Sequence, residues 1–425
     1  MTVVGFAGMT HLGLVSSTAV ASSGLRTICY DANAALIDEI KQGRLPVVEP
    51  DLDDLVRRNG DTQTFTSDLG DLGACDVVYI APDIPTDDQG RSDVSGIRDL
   101  IGRVAPVMQD TSVMVILSQV EPGFTRTLNI LSPDRLYYQV ETLVFGRAVE
   151  RATQPERYIV GCADPSRPLN PHFRAVLEMF DCPVLPMLYE SAELAKISIN
   201  FCLVASISVA NTLSEVCEKI GADWSEIVPA LKLDRRIGPY SYLAPGLGIA
   251  GGNLERDLAT IERLGGNLGT DTGVIAAWKH NSRHRRDWAA RTIQDALLGA
   301  RPDATVAVWG LAYKENTQST KNSPSVATLA QMPRANLRVH DPVVPVSQAH
   351  HRHAQAFGDP LAALEGAEAL MILTPWPQYK AIEPRQVAQR LAGNLVLDPY
   401  RVFEPNLAAA AGLSYYTLGQ APIKT

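Results

Sequence analysis

Short apolar runs separated by glycine turns dominate the first part of the chain. Thr2 to Ala7 is one such run, a glycine-containing turn follows, and the small apolar stretch Leu14 to Ser23 predicts the packed face of a helix. Arg26 to Tyr30 then predicts a second strand. Strand, turn, helix and strand within about thirty residues is how a parallel, doubly wound sheet opens. Asp76–Ala81, Ser112–Leu117 and Arg157–Val160 are further short runs rich in β-branched residues, as expected of strands covered on both faces.

From Ala192 to Ile220 there is neither Gly nor Pro, and Gly221 supplies a stop, so the pattern predicts one long helix. At about 1.5 Å per residue it would run roughly 43 Å. It is apolar nearly all round, through Phe201, Cys202, Leu203 and Val204, so neighbouring domains or a second copy of the chain must cover it. A homodimer across this helix is expected. A loop with Pro239, Pro245 and a cluster of glycines between Gly238 and Gly252 comes next, then a polar helix over Leu254 to Arg263. Thr305–Gly310, Leu337–Asp341 and Leu395–Asp398 predict the strands of a second α/β domain. The expected division is residues 1–185, 186–295 and 296–425.

Composition narrows the function classes. With 425 residues, 46% of them hydrophobic and 20% charged, the chain has enough apolar mass for two or three cores, and disordered, collagenous and coiled-coil classes drop out. The 38 basic against 47 acidic side chains leave a formal charge of −9, no field for nucleic acid or anionic lipid. None of the six cysteines forms a CxxC pair, and neither that pattern nor the His350–His353 cluster supports a metal site. The N-terminus lacks a basic region followed by a cleavable apolar stretch, and no run approaches the roughly 18–20 uninterrupted apolar residues of a membrane span. The expectation is a soluble, cytoplasmic protein.

The first turn reads Gly8-Met9-Thr10-His11-Leu12-Gly13, a GxGxxG dinucleotide fingerprint whose middle glycine is threonine. In that motif the first glycine makes the turn, the second lets backbone amides approach a pyrophosphate at a helix N-terminus, and the third lets helix pack on strand. Thr10 must either donate its hydroxyl to a phosphate or push the dinucleotide away. Asp31, at the end of the second strand, stands where a carboxylate would hold the cofactor ribose, favouring NAD over NADP. The fold class is therefore α/β, with two Rossmann-like doubly wound domains joined by a long central helix and a helical dimerisation core.

Six segments, in order and spacing, resemble the UDP-glucose and GDP-mannose 6-dehydrogenase family along almost the whole chain. Leu45–Leu55 is similar to the family's IPIYEPGL segment, Ile84–Asp93 to its TPxxxxGxxD loop, and Ala192–Asn200 to AELxKxxxN. Leu233–Gly238 matches a segment bearing an arginine, Gly310–Pro324 is close to GLAFKxNTDDxRxSP, and Leu397–Arg401 to LDxRN. The resemblance implies an NAD-binding domain, a helical dimerisation core and a UDP-binding domain, with the sugar held in the cleft. Members oxidise a primary alcohol twice, and a cysteine traps the intermediate aldehyde so that it can be oxidised again and released as a uronate. The implied cofactor contacts are Gly8, Thr10, His11, Leu12, Gly13, Asp31, Pro85 and Gln119; the implied substrate contacts are Leu143, Arg236, Tyr242, Gly248, Lys314, Lys321 and Arg401.

The pattern breaks at its reactive centre. The family's GxGxGGSCFPKD loop is Gly246 to Asp257 here, and Asn253 stands at the cysteine position. Cys202 and Cys217 lie on the long helix, read as buried and unreactive. Gln119 replaces a threonine that organises the catalytic water, and the NPEFLREG segment keeps Glu141 but has Phe145 for its second glutamate. Lys196 and Asn200, four apart on one helix face, remain available to steady an oxyanion and to hold a water or hydroxyl. The alternative for Lys196 is a stem packed on the helix with a solvated ammonium. Asp257 is either a base acting through water or a helix-terminal charge. Two-electron oxidation of a UDP-sugar is the leading expectation. A four-electron dehydrogenase using a water route and a nucleotide-sugar-binding homologue without turnover are the alternatives.

Overall fold

The computed structural model describes residues 2–87 and 90–425; Asp88 and Gln89, inside the Ile84–Asp93 loop, lie outside the described residues. The chain divides into two compact units, residues 1–199 and 200–425.

Among the described residues of the first unit, eight strands form one sheet in the order β3-β2-β1-β4-β5-β6-β7-β8. They are β1 (Val3–Ala7), β2 (Arg26–Tyr30), β3 (Gln63–Thr66), β4 (Val77–Ile80), β5 (Val113–Ile116), β6 (Leu136–Gln139), β7 (Tyr158–Cys162) and β8 (Val184–Leu188). Alternate residues serve opposite faces: Val4, Phe6, Val77 and Tyr79 pack into one core, while Ala7, Val78 and Ile80 pack into the other. Both faces of the central strands β1, β4 and β5 are covered, which is why these strands are apolar throughout. Helix α1 (His11–Ser22) returns from β1 to β2, and strand order reverses between β1 and β4, opening the crevice where doubly wound sheets bind ligands.

The sheet is not wholly parallel. The Arg157–Val160 run overlaps β7, which runs antiparallel to β6; an apolar run reveals burial and not direction. β8 escaped the hydrophobic pattern for a different reason. It is an edge strand with a half-exposed face and with Pro186 inside it, so it lacks the signature of a covered strand.

The long helix is α2 (Tyr189–Ile220), 32 residues, starting about one turn before the expected Ala192 and ending at Gly221 with φ +80°. Its first turns pack Tyr189 and Ala192 on the sheet of the first unit. In the second unit Val204 packs with Ile249, Leu258 and Ile275, and Ala210 and Cys217 pack with Trp224. By length and composition alone α2 is long and apolar enough to cross a membrane. Its burial is uneven: Val209, Leu213 and Val216 are nearly half exposed. The polar helix α3 runs over Asn253–Leu268, longer than its pattern indicated, and stops at Gly269 in the left-handed region.

The second sheet is fully parallel, in the order β11-β10-β9-β12-β13-β14. Its strands are β9 (Thr305–Trp309), β10 (Asn336–His340), β11 (Ala354–Ala356), β12 (Ala369–Ile372), β13 (Leu395–Leu397) and β14 (Ser414–Tyr416). The order reverses between β9 and β12, as it does between β1 and β4.

Candidate functional site

The turn from β1 into α1 is built so closely that two glycines are required. A Cβ on Gly8, whose φ is +100°, would lie 2.8 Å from the Pro82 nitrogen, and one on Gly13 would lie 1.8 Å from the Gly8 carbonyl oxygen. Thr10 between them has φ −78° and ψ −172°, ordinary extended backbone, so its side chain costs no strain. Its hydroxyl is turned to neighbouring chain: it accepts the Asp83 N–H at 2.8 Å. Asp31 closes the turn by accepting the Met9 N–H at 2.8 Å and the Asn33 N–H at 2.9 Å. Gly8, Asp31, Asp83 and Pro85 line one cleft of ≈ 310 Å³. A glycine turn, the N-terminus of α1 and an oriented carboxylate beside this cleft fit a dinucleotide.

His11, in the first turn of α1, places Nε2 2.9 Å from Glu49 and packs its ring at a tilt against Phe145 with centroids 4.3 Å apart. Glu49 is buried and also accepts the Gly146 and Ala148 N–H groups. Burial pushes its carboxyl up, but the His11 hydrogen bond and the two backbone donors prevail and hold it below the usual range. Phe145 thus packs against the Gly8–Gly13 turn, and Glu49 ties that turn to the 146–148 backbone.

Beyond β6, Glu141 accepts the Leu143 N–H. Burial raises the Glu141 carboxyl; Lys196, the Leu143 amide and His11 pull it down, while Asp83 pushes it up. This places Glu141, Leu143, Lys196 and His11 of the first turn in one electrostatic neighbourhood. Gln119 is half-buried next to Ser118, whose hydroxyl donates to the Pro82 carbonyl at 2.5 Å. The loop after it is held by Glu193, fully buried on α2, which accepts the N–H groups of Gly123 at 2.5 Å and Thr125 at 2.9 Å.

In the second unit, Asn200 donates its amide to Asp257 at 2.5 Å, and Arg256 Nε lies 3.3 Å from the other carboxylate oxygen. Asp257 is 1% exposed. Asn253 is exposed at the first position of α3, four residues before Asp257 and so on the same helix face. The preceding loop needs its glycines: Gly248 has φ +75°, and a Cβ there would meet the Ser282 carbonyl at 2.4 Å. Asn322 fixes the loop by donating to the Gly251 carbonyl at 3.0 Å, and the Lys321 stem would lie 3.4 Å from a Cβ on Gly252.

Other sequence-derived positions have separate settings. Lys314 places Nζ 5.8 Å from the Tyr313 ring centroid. Arg236 is largely exposed and pairs with Asp234 at 2.6 Å, and Tyr242 is also exposed. Arg401, at φ +51°, donates to Asp223, Ser225 and Gln420 at 2.7–2.8 Å, which leaves part of its guanidinium for other partners. The structure corrects one sequence expectation: Cys202 is exposed, whereas Cys217 is buried and its thiol raised by burial. Among the described residues no group of three or more His, Cys, Asp or Glu is arranged for a metal ion.

Two Rossmann-like sheets, one opening on a tight glycine turn beside an oriented carboxylate, define a nucleotide-binding α/β architecture. Three profiles of the UDP-glucose/GDP-mannose dehydrogenase family match the chain: its NAD binding domain at residues 2–180, its central domain at 190–283 and its UDP binding domain at 307–405. UDP-glucose 6-dehydrogenase TuaD of Bacillus subtilis is 28% identical, over 98% of this chain and 93% of its own. UDP-glucose 6-dehydrogenase YwqF of the same organism is 29% identical over 98% and 97%. The solved UDP-glucose dehydrogenase of Pyrobaculum islandicum superimposes with a TM-score of 0.85 at 26% identity, covering 99% of this chain and 98% of its own. The protein belongs to the UDP-glucose/GDP-mannose dehydrogenase family, an NAD-dependent family of nucleotide-sugar oxidoreductases.

Proposed function

We propose that this protein oxidises the sugar of a UDP-glucose-like substrate and stops after one two-electron step. The observation that carries the reading is Asn253. It occupies the start of α3, above Asp257, where the family resemblance requires a thiol, and an amide cannot form a thiohemiacetal. When bound, NAD supplies the hydride acceptor. Lys196 steadies the developing alkoxide, and Glu141 accepts the hydroxyl proton directly or through water. Asn200 and Asp257 orient a hydroxyl or water, the amide fixing the carboxylate.

The cofactor contacts assigned to this reading are Gly8, Thr10, His11, Leu12, Gly13, Asp31, Pro85 and Gln119. Leu143, Arg236, Tyr242, Gly248, Lys314, Lys321 and Arg401 are assigned to the nucleotide sugar. The functional parts are residues 1–185 for the cofactor, 186–295 for the helical core and 296–425 for the nucleotide. The exposed apolar side chains Leu213, Val216 and Ile220 support burial of α2 in a homodimer.

The test is the mass of the product formed from several UDP-sugars with NAD. Loss of two hydrogens with one NADH per sugar is expected. A uronate with two NADH per sugar overturns the two-electron reading in favour of oxidation through the hydrated aldehyde. Binding of both ligands without NADH formation overturns catalysis.

A further inference from the structure

The start of α1 is where a cofactor pyrophosphate would meet unpaired backbone N–H groups and the positive end of the helix dipole. A threonine at the N-cap ordinarily turns its hydroxyl onto an N–H of the first turn. Thr10 makes no such bond. Its hydroxyl instead accepts the N–H of Asp83 at 2.8 Å and lies 3.5 Å from the Ala81 carbonyl oxygen, holding the end of the β4 loop against the turn. The Asp83 carboxylate then reaches back, with Oδ2 3.5 Å from the Leu12 nitrogen. A cap that Thr10 leaves open is thus approached by a carboxylate from another segment of chain.

Asp83 is exposed and lines the same cleft as Asp31 and Gly8. We infer that Asp83 is an affinity determinant for the cofactor: its carboxylate stands at the anion site of α1, and a bound pyrophosphate must displace it. This inference rests on NAD binding at the same turn. An exposed side chain can swing away with little loss of packing, so the site remains usable. The displaced charge nevertheless stays close to a pyrophosphate carrying two negative charges. The Thr10 hydroxyl, by anchoring the Asp83 backbone, keeps that charge near and makes the two residues one device.

Calorimetry on the full chain separates this charge effect from the rest of the site, using ADP-ribose, which carries the pyrophosphate, and adenosine, which does not. Asp83→Asn, similar in size and without charge, is expected to bind ADP-ribose about tenfold more tightly at low salt, with the gain shrinking as salt screens the carboxylate in the parent. Adenosine should bind parent and variant equally. Equal ADP-ribose affinity in parent and variant overturns the role of Asp83 and leaves the cofactor site standing. Tightening of both ligands also overturns it, since the effect would not then be directed at the pyrophosphate. Absence of binding by either ligand to either protein overturns both this inference and the dinucleotide reading beneath it.

Discussion

Asn200 holds Asp257 by a hydrogen bond of 2.5 Å, and Arg256 approaches the carboxylate from the side, so a buried acid is fixed in direction one helical turn beyond Asn253. This geometry makes Asn253→Cys an informative change. A thiol in the first turn of α3 would gain thiolate character from the helix N-terminus. The variant is expected to form a covalent adduct with the aldehyde and to release uronate with two NADH per sugar, where the proposed two-electron reaction of the parent would give one. Intact-protein mass and NADH stoichiometry read the two effects. Unchanged stoichiometry would place Asn253 away from the reacting carbon.

Glu141 gives a prediction in pH. Burial raises its carboxyl above the ordinary value of 4.5, and Lys196 is the largest opposing influence. A raised acid favours the folded state while protonated, so its stabilising contribution is complete below the unfolded value and is lost as pH rises through the folded one. For catalysis the sign is opposite, because only the carboxylate accepts a proton. The acid limb of kcat/KM should lie above the usual carboxylate range, and Lys196→Met should move the limb of the residual activity to still higher pH. Glu141→Gln should lower kcat by about 10²–10⁴ and abolish that limb. A limb unmoved by Lys196→Met would separate the two groups.

Much of the cofactor half was legible because its signals are local. The turn at Gly8–Gly13 and Asp31 lie within one strand-helix-strand unit, and the strand containing Arg26–Tyr30 matches its pattern residue for residue. What escaped depends on partners far along the chain. Glu49 reads as one acid in a polar segment until its acceptance of the Gly146 N–H, 97 positions away, is seen. Asp83 reads as a loop charge until the Thr10 hydroxyl draws its backbone in from 73 positions away. The exposure of Cys202 was hidden for a related reason, since an apolar neighbourhood in sequence does not say which helix face is covered. Asn253, by contrast, was visible at once, because a departure from a spaced motif needs no tertiary information.

Glu193 carries a prediction in stability. It is wholly buried, and its two oxygens accept the backbone amides of Gly123 and Thr125, joining the loop after Gln119 to α2 three residues before Lys196. Glu193→Gln preserves volume but leaves only one oxygen as an acceptor and turns an NH₂ toward a backbone donor. The cost should be about 1–3 kcal/mol, seen as a lower urea midpoint. Glu193→Ala should cost more, because both amides lose their partner. A midpoint unchanged in both variants would show that water replaces the carboxylate freely.

Asp31 carries a prediction about cofactor choice through its charge. Its two oxygens are oriented by the Met9 and Asn33 amides, so the carboxylate is fixed at the end of β2 and faces the cleft it shares with Asp83. It can accept the ribose hydroxyls of NAD but would repel the additional phosphate of NADP, and the repulsion is strongest where salt does not screen it. Asp31→Ser should therefore weaken NAD binding and narrow the NAD-to-NADP affinity ratio by about tenfold or more at low ionic strength. Loss of the Met9 acceptor should also reduce stability by about 1 kcal/mol, so folding is monitored alongside binding. Calorimetric titration with both cofactors measures the ratio. A ratio unchanged in a folded Asp31→Ser variant would move the discrimination to another residue, and Asp83, the second carboxylate on the same cleft, would be the next to test.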